Sequence, residues 1–582
     1  MVAAKKADFY VIAEKFHVDP VVARIIRNRE VIGEKNIRIY LGGNLSDLSD
    51  PHQMKDMDRL VEILAQKIRK QVHIRIIGDY DVDGVTSSHL FLTALRRVGA
   101  KVDVVIPHRI QDGYGLSLHL LQQAKEDGVD TILTCDNGIA AIDEIAWAKA
   151  QKMTVLVTDH HAVPFEEHEG RRTEKKSLAD AVVNPHQQDC GYPYKELCGA
   201  GVAWNVIRVL YENYDMDKRE AEDLLDFVAM ATVCDVMSLT GENRILVKEG
   251  LKRIRHTKNI GLQALMQACN VQPENISAYH FGYVLGPCVN ATGRLDTARH
   301  ALRLFETGQE TEAEEIARDL VDLNQERKEL TLQGVEMAKK LCEEGGYEND
   351  PVLVLFLPDV HESIAGLIAG RIREMYNRPV FVLTRGEEGV KGSGRSTENY
   401  SMYENMCGCA ELFTKFGGHP MAAGLSLPEE NVEKFRRKIN ENCPLTVEEV
   451  CPDIHIDMAM PVGYASTELV HQFALLEPFG KDNPSPLFAD RNLSISRMWL
   501  IGKNRNVLRM SVLSEYGQPV PVIFFGDVET LFAYFTEKFG QEEVENALHG
   551  RKNRILFSMV YTAKIDFYQG NENLQLEMKY YR

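Results

Sequence analysis

Carboxylates recur in this chain at the ends of apolar runs. With two adjacent histidines they form the residue set that metal-assisted hydrolysis of a phosphate ester requires. The first group is GDYDVDG, residues 78 to 84, directly after the run HIRII. Asp79, Asp81 and Asp83 alternate along it. Alternate side chains of extended chain point to one side, so the three carboxylates can converge. Taken singly, the segment also reads as a solvated acidic turn. The second group, TCDNGIAA, sets Asp136 at the end of another apolar run, with Asn137 and Gly138 turning the chain. A third, VTDHHAVP, supplies Asp159, His160 and His161. Last, ATVCDVMSL places Asp235 in an apolar, helix-like segment, where a lone carboxylate needs a partner. It is a ligand, a helix cap or half of a buried ion pair. Several carboxylates with at least one imidazole suit two six-coordinate, oxygen-preferring ions, Mn2+ or Mg2+, and the imidazole favours Mn2+. Two such ions about 3.5–4 Å apart clamp a phosphodiester for in-line attack.

The elements that must position these groups are also visible. HIRIIGDY, VDVVIPH, TILTCDNG and TVLVTDHH are apolar runs ending in polar or glycine residues, and helical stretches such as Ser88–Val98 and Leu118–Glu126 lie between them. This alternation predicts a parallel α/β sheet. In such sheets functional groups sit beyond the carboxyl ends of the strands, where the acidic and histidine groups fall. Ala313, Ile316, Ala317, Leu320 and Leu323 recur at helical spacing, which predicts one long helix from about Glu310 to Glu344, stopped by Gly345, Gly346 and Pro351. A second α/β lobe follows with VLVLFLPD and PVFVLTR. Beyond about Cys451, short alternating strands predict a β-barrel or sandwich, with an OB-fold leading. The chain thus divides into an N-terminal segment (1–50), a catalytic α/β lobe (51–255), a helical connector with the long helix (256–344), a second α/β lobe (345–450) and a barrel (451–582).

Composition narrows the function classes. A chain of 582 residues exceeds a single core. The longest apolar runs are strand-length, too short to span a bilayer, and no apolar signal core opens the chain. A cytoplasmic location with no membrane association is expected. Eleven scattered cysteines without a CxxC pair read as reduced thiols, not a disulfide framework or a usual zinc site. The net charge of −18 lacks the basic footprint of most nucleic-acid binders. In a long chain a cleft can be positive under an acidic exterior, so charge leaves the partner open.

DxD, DNG, DHH and an isolated Asp, in that order, resemble the four motifs of the DHH phosphoesterase superfamily. The resemblance implies Asp79, Asp81, Asp136, His160 and Asp235 as metal ligands, with Asp136 bridging. It implies that His161 contacts or polarises the scissile phosphate beside Asp136, and that Asp83 and Asp159 support the ligands, Asp83 being counted with the catalytic groups. KGSGRST (391–397) and FGGHPMAAG (416–424) read as glycine-rich turns whose Ser393, Arg395, Ser396 and His419 can wrap phosphate oxygens, or as plain turns between strands. Together they resemble the DHHA1 domain. Within the superfamily, IIGDYDVDGVTSS, GPCVNATGRLDTA (with Asn290 and Arg294 as strand contacts) and LEPFGKDNPSPLF resemble the bacterial single-strand-DNA exonucleases. Cys288 departs from that pattern, where an arginine is expected. The resemblance implies 5′-to-3′ hydrolysis of single-stranded DNA in repair and recombination by a monomer, with a single-strand-binding protein and a helicase as partners. Two other readings stand beside it: a phosphodiesterase of short oligonucleotides or cyclic dinucleotides, which needs no barrel, and a non-catalytic relative, which would be expected to lose ligands.

Two further stretches carry base-stacking and phosphate-binding types. IPHRIQDGYG (106–115) sets Arg109 and Tyr114 near the rim of the site, or else is an ordinary surface loop. Arg497, Trp499, Lys503, Arg505 and Arg509 interleave on barrel strands, as a strand track or as a solvated face with Trp499 in the core.

Overall fold

The structure, a computed structural model, describes residues 8–109, 112, 115–168, 171–347, 350–386, 389–445, 454–502, 506–568 and 570–582. Tyr114, Lys503 and Arg505 lie outside the described residues.

The catalytic lobe is a sheet of strands β1 (His73–Ile77), β2 (Lys101–Val105), β3 (Thr131–Cys135), β4 (Thr154–Thr158) and β5 (Ala181–Val183). Their order is β2-β1-β3-β4-β5 and every pair is parallel. β1, β3 and β4 are covered by helices on both faces, which is why they read as nearly unbroken apolar runs. Helix α1 (Val82–Arg97) leaves β1 with Asp81 as its N-cap. It packs against α2 (Gly199–Asn213) and α3 (Leu225–Cys234). The connector helices, including α4 (Gly286–Leu295), share this core and form no separate body.

Helix α5 (Glu310–Glu344) spans 35 residues, or roughly 50 Å at the α-helical rise. Ala313, Ala317 and Leu320 in its first half sit in the catalytic-lobe core, and Val335, Ala338 and Cys342 in its second half sit in the core of the next lobe. That lobe is the sheet β6 (Leu353–Phe356), β7 (Val380–Gly386), β8 (Gly389–Arg395), β9 (Lys415–His419) and β10 (Ala422–Leu427), in the order β9-β10-β8-β7-β6. Only β6 and β7 run parallel. The two glycine-rich segments expected as turns are mainly strands: KGSGR lies within β8, and FGGH and AAG flank the turn of the β9–β10 hairpin. Their glycines serve close packing. A Cβ on Gly392 would stand 2.4 Å from Leu383, and one on Gly394 2.3 Å from the Met402 sulfur.

The C-terminal strands β11 (Phe488–Ile501), β12 (Val507–Leu513), β13 (Pro519–Phe524), β14 (Leu556–Tyr568) and β15 (Asn571–Tyr581) follow the order β11-β12-β13-β15-β14. β14 pairs back onto β11 and closes a five-stranded barrel. The N-terminal segment is part of this unit: Val22, Ile25, Ile26 and Tyr40 share one core with Phe488 and Phe557 of the barrel. Buried Arg244 of the catalytic lobe donates to the carbonyls of Tyr40, Leu475 and Leu476 at 2.8 Å each, fastening this unit to the lobe. Among the described residues no helix is long and apolar enough to cross a membrane.

Candidate metal centre

The motifs meet at the carboxyl ends of β1, β3 and β4. Asp79 follows β1 after Gly78, where a Cβ would collide with the Ser88 hydroxyl at 2.0 Å. Asp81 caps α1, its carboxylate accepting the Gly84 N–H at 3.0 Å. Asp136 follows β3 with φ +61°, a left-handed conformation that Asp tolerates better than most residues. The Asn137 amide holds this turn by donating to the carbonyls of Ile77 (3.0 Å) and Cys135 (2.9 Å). His160 and His161 follow β4, and Asp235 is the C-cap of α3.

Donor atoms of Asp79, Asp81 and Asp136 all lie within 4.8 Å of one another, as do those of Asp136, His160 and His161, and those of Asp83, His160 and Asp235. Asp136 is common to the first two sets. His160 Nε2 stands 3.0 Å from an Asp136 oxygen and 3.6 Å from Asp235, without the alignment of a hydrogen bond. Both oxygens of Asp79 are buried with no hydrogen-bond partner among the described residues. Burial of such donors is costly unless a cation meets them. The set therefore fits two oxygen-preferring divalent ions.

Electrostatics give the same picture. Burial, and then the neighbouring carboxylates, push Asp79, Asp81, Asp136 and Asp235 above the usual carboxylate range. Burial lowers His160 and keeps it a neutral ligand. His161 behaves oppositely. Burial alone would lower it, but the 2.8 Å contact of its Nδ1 with Asp159, helped by the charges of Asp235 and Asp83, raises it to about 9. Asp159 also accepts the backbone N–H groups of His160, His161 and Ile139 at 2.7, 3.0 and 2.9 Å, so it fixes the DHH turn and the His161 ring.

Asp83 departs from the alternation expected of three extended aspartates. It lies in the first turn of α1, not in extended chain, and is 1% exposed. Its oxygens accept the N–H groups of Gly199 (2.6 Å) and Ala200 (2.7 Å), the first donors of α2. Asp83 is thus an anchor between two helices, 3.6 Å behind His160.

Beside the carboxylates, the two α/β lobes enclose a cavity of about 460 Å3 lined by Tyr80, Arg109, Arg294, Lys391, Ser393 and Arg395. Arg294 donates to the Ser363 carbonyl at 2.7 Å, and Arg395 to Ser393 Oγ at 3.2 Å and the Gly394 carbonyl at 2.7 Å. Arg109 lies 4.8 Å from the Tyr80 ring. None of these three arginines is ion-paired among the described residues. Burial, and then the charge of Arg109, lower Arg294 to about 9 and lower Arg395 in the same direction. An anion would relieve both. Gly366 keeps the wall open, since a Cβ there would approach Arg395 and Ser393 to 2.8 Å.

Several sequence expectations fall elsewhere. Ser396 is buried and donates to the Tyr400 carbonyl at 2.6 Å, so it braces a turn. His419 ends β9 outside the cavity lining. Asn290 accepts the Val82 N–H at 3.2 Å and so steadies the aspartate loop. Cys288 faces the interior, 3.8 Å from Cys269, and its replacement of an arginine takes nothing from the cavity. Trp499 is not in the barrel core. It lies half-buried on the outer face, flanked by Arg497 and Arg509 at 5.7 and 5.8 Å. Tyr80, Lys391 and Lys415 were missed as lining residues. For Tyr80 the signal was its place between two ligands; the lysines sit on strands whose pairing the sequence does not reveal.

Residues 73–232 match the DHH family, N-terminal domain, residues 349–443 the DHHA1 domain and residues 456–580 the RecJ OB domain. The chain is 32% identical to the single-stranded-DNA-specific exonuclease RecJ of Haemophilus influenzae over 96% of both chains. It is 33% identical to the RecJ of Bacillus subtilis, covering 87% of this chain and 63% of that longer relative. Among solved structures, RecJ of Thermus thermophilus in complex with Mn2+ superposes with a TM-score of 0.79 at 25% identity, over 99% of this chain and 77% of that one. A crystal structure of exonuclease RecJ bound to manganese matches at 31% identity and a TM-score of 0.58, over 68% of this chain and 96% of that one. With all three domains in the same order and this identity over nearly its whole length, the chain belongs to the RecJ family of DHH proteins.

Proposed function

We propose that the chain is a metal-dependent exonuclease that removes nucleotides from the 5′ end of single-stranded DNA in repair and recombination. The observation that carries this reading is the juxtaposition in one cleft of a buried carboxylate–imidazole cluster and a cavity holding three arginines that have no carboxylate partner among the described residues. Asp79, Asp81 and Asp136 would hold one ion, and Asp136, His160 and Asp235 a second. When bound, the ions supply Lewis-acid charge and an activated water at neutral pH. Mn2+ and Mg2+ both accompany the Thermus thermophilus relative.

The chain's own groups do the rest. Asp83 fixes α1 to α2, and so Asp81 to the Gly199 turn that packs on Asp136. Asp159 holds His161 by Nδ1, which leaves Nε2 to donate to a phosphate oxygen. Arg109, Arg294 and Arg395, with Ser393, take the terminal 5′-phosphate through paired N–H donors, which prefers an end to an internal phosphodiester. A phosphodiesterase of cyclic dinucleotides would have no use for the closed barrel, which supports the polymer substrate.

The test is digestion with Mn2+ of single strands carrying 5′-phosphate or 5′-hydroxyl. The phosphorylated strand should be degraded faster, and Arg395→Ala should shrink the ratio while retaining bound Mn2+. An unchanged ratio in a folded variant refutes Arg395 as the end reader; release of nucleotides from the 3′ end first refutes the direction.

A further inference from the structure

Two thiols meet beside the helix that steadies the aspartate loop. Cys288 lies in the first turn of α4, and Cys269 is the C-cap of the helix Ile260–Ala268. Their sulfurs stand 3.8 Å apart. The Cys288 side chain is buried; its thiol donates to the Val284 carbonyl at 3.3 Å, and its sulfur accepts from the Asn324 amide at 3.4 Å. Cys269 is half-buried beside exposed Asn270, so solvent reaches it first. Contact with the Cys288 sulfur lowers the Cys269 thiol; burial opposes this and the charge of Lys328 adds to it. The same contact, with burial, raises the Cys288 thiol. The pair therefore divides into a reachable thiol disposed to ionise and a buried thiol held against it.

Helix α4 touches the machinery along its length. Asn290 accepts the Val82 N–H, and a Cβ on Gly293 would lie 2.4 Å from the Tyr80 carbonyl oxygen. Arg294 lines the arginine cavity. At the other end a Cβ on Gly286 would lie 2.3 Å from the sulfur of Cys234, the last residue of α3 before Asp235. Contacts this close leave α4 little room to move without moving its neighbours.

We propose that Cys269 and Cys288 are a redox modification site, which hydrogen peroxide closes into a reversible disulfide that shifts α4 and slows hydrolysis. The Cys269 thiolate attacks one peroxide oxygen and breaks the O–O bond. It becomes a sulfenic acid, and the hydroxide released takes up a proton to leave as water. The Cys288 sulfur then attacks the Cys269 sulfur, and the displaced hydroxide leaves as water with the Cys288 proton. Two thiols are oxidised and one peroxide is reduced to two waters; a dithiol reductant reverses the bond. An S–S bond is about 2.05 Å long, so closure draws the sulfurs together by roughly 1.7 Å. The effect on rate rests on the single-strand exonuclease reading, whereas the disulfide does not.

The experiment reads the bond before the rate. The full chain is treated with hydrogen peroxide in EDTA, its remaining thiols are blocked with N-ethylmaleimide, and it is cut with chymotrypsin, which cleaves between the two cysteines at Tyr279, Phe281 and Tyr283. Mass spectrometry should find the Cys269 and Cys288 peptides joined, and dithiothreitol should part them. With peroxide removed and Mn2+ added, the linked protein should degrade single-stranded DNA about 10- to 100-fold more slowly than the reduced protein, since a displacement of about 1 Å is enough for such a loss. Dithiothreitol should restore the rate. Cys269→Ser and Cys288→Ser, singly, should match the reduced wild type before treatment and keep their rate after it. The site is overturned if both cysteines are recovered blocked, or if Cys269 is oxidised further without a link to Cys288. The effect through α4 is overturned if the linked protein keeps its full rate, or if the serine variants lose as much as the wild type. Linkage in a protein whose reduced form releases no nucleotides would sink the exonuclease reading and leave the disulfide standing.

Discussion

Asp79 and Asp83 are both buried and four residues apart, yet removing their charge should shift stability in opposite directions. Asp83 accepts the two leading N–H groups of α2 at 2.6 and 2.7 Å. Asp83→Ala leaves both buried donors without a partner, at about 1–3 kcal/mol each, hence about 2–6 kcal/mol in total. Asp83→Asn keeps one acceptor oxygen but turns an NH2 toward the other donor, so about 1–3 kcal/mol is lost. Against a total stability of about 5–15 kcal/mol these are large effects. Asp79 offers two oxygens that nothing in the described chain satisfies, next to Asp81. Asp79→Asn removes a buried repulsive charge and should stabilise the metal-free protein while weakening Mn2+ binding. The assay is urea denaturation in EDTA, followed by Mn2+ titration of each variant. If Asp83→Asn leaves the metal-free stability unchanged or raised and abolishes Mn2+ uptake, Asp83 is a ligand and the anchor argument is wrong.

Three other outcomes follow from the same geometry. His160→Ala should lose affinity for Mn2+ whereas His161→Ala, whose ring is committed to Asp159 at Nδ1, should keep it and lose rate; equal metal loss by calorimetry in both variants would contradict the division. Asp226 is buried, which raises its carboxyl from 3.8 to about 6 despite the 2.6 Å bond from Thr257. The folded state therefore favours the protonated form, so its stability is fullest below about pH 3.8 and falls as pH rises through 6; Asp226→Asn should gain about 3 kcal/mol at pH 8 and only about 0.5 kcal/mol at pH 4, and parallel stability–pH curves would refute this. On the barrel, Arg497→Ala/Arg509→Ala should reduce the slope of log affinity against log salt by about 1.4, because two phosphate contacts go, and an identical slope would remove this face from the strand's path.

The parallel sheet, the long helix and the barrel were legible because each rests on local periodicity. β1, β3 and β4 end in the ligand motifs, and such sheets place function at that edge. What stayed hidden depends on distant pairing. Three helices before Gly43 read as a separate segment, yet Ile25 and Tyr40 complete a core whose other half lies beyond residue 460. Deleting the barrel would therefore strip these helices of their partners, whereas the catalytic-lobe core starts at Met54 and contains none of them. The glycine-rich segments read as turns because glycine marks turns most often, but Gly392 and Gly394 are glycine since Leu383 and Met402 occupy the space a Cβ would need. Ser396 and Arg395 are neighbours in sequence, but the strand ends at Arg395, which lines the cavity, and Ser396 enters the turn where it bonds the Tyr400 carbonyl.

Asp83 shows the limit most clearly. By alternation alone an aspartate two residues past a ligand, in a DxDxD pattern, reads as a third ligand, and only the resemblance to the DHH superfamily gives it a supporting role. Its role is decided by where the chain turns from strand to helix. Asp81 is the last extended residue, so the alternation that aligns Asp79 with Asp81 stops there, and Asp83 swings into the first helical turn. That turn meets the start of α2, whose leading N–H groups carry the equivalent of roughly half a positive charge and take the Asp83 carboxylate as their acceptor. A helix N-terminus and a divalent ion compete for the same side chain, and the nearer one takes it. The two ligand sets around Asp136 remain because the left-handed turn at that residue seats its carboxylate between the Gly199 backbone, where a Cβ would come within 2.9 Å of its Oδ1, and the space that His160 and Asp79 share.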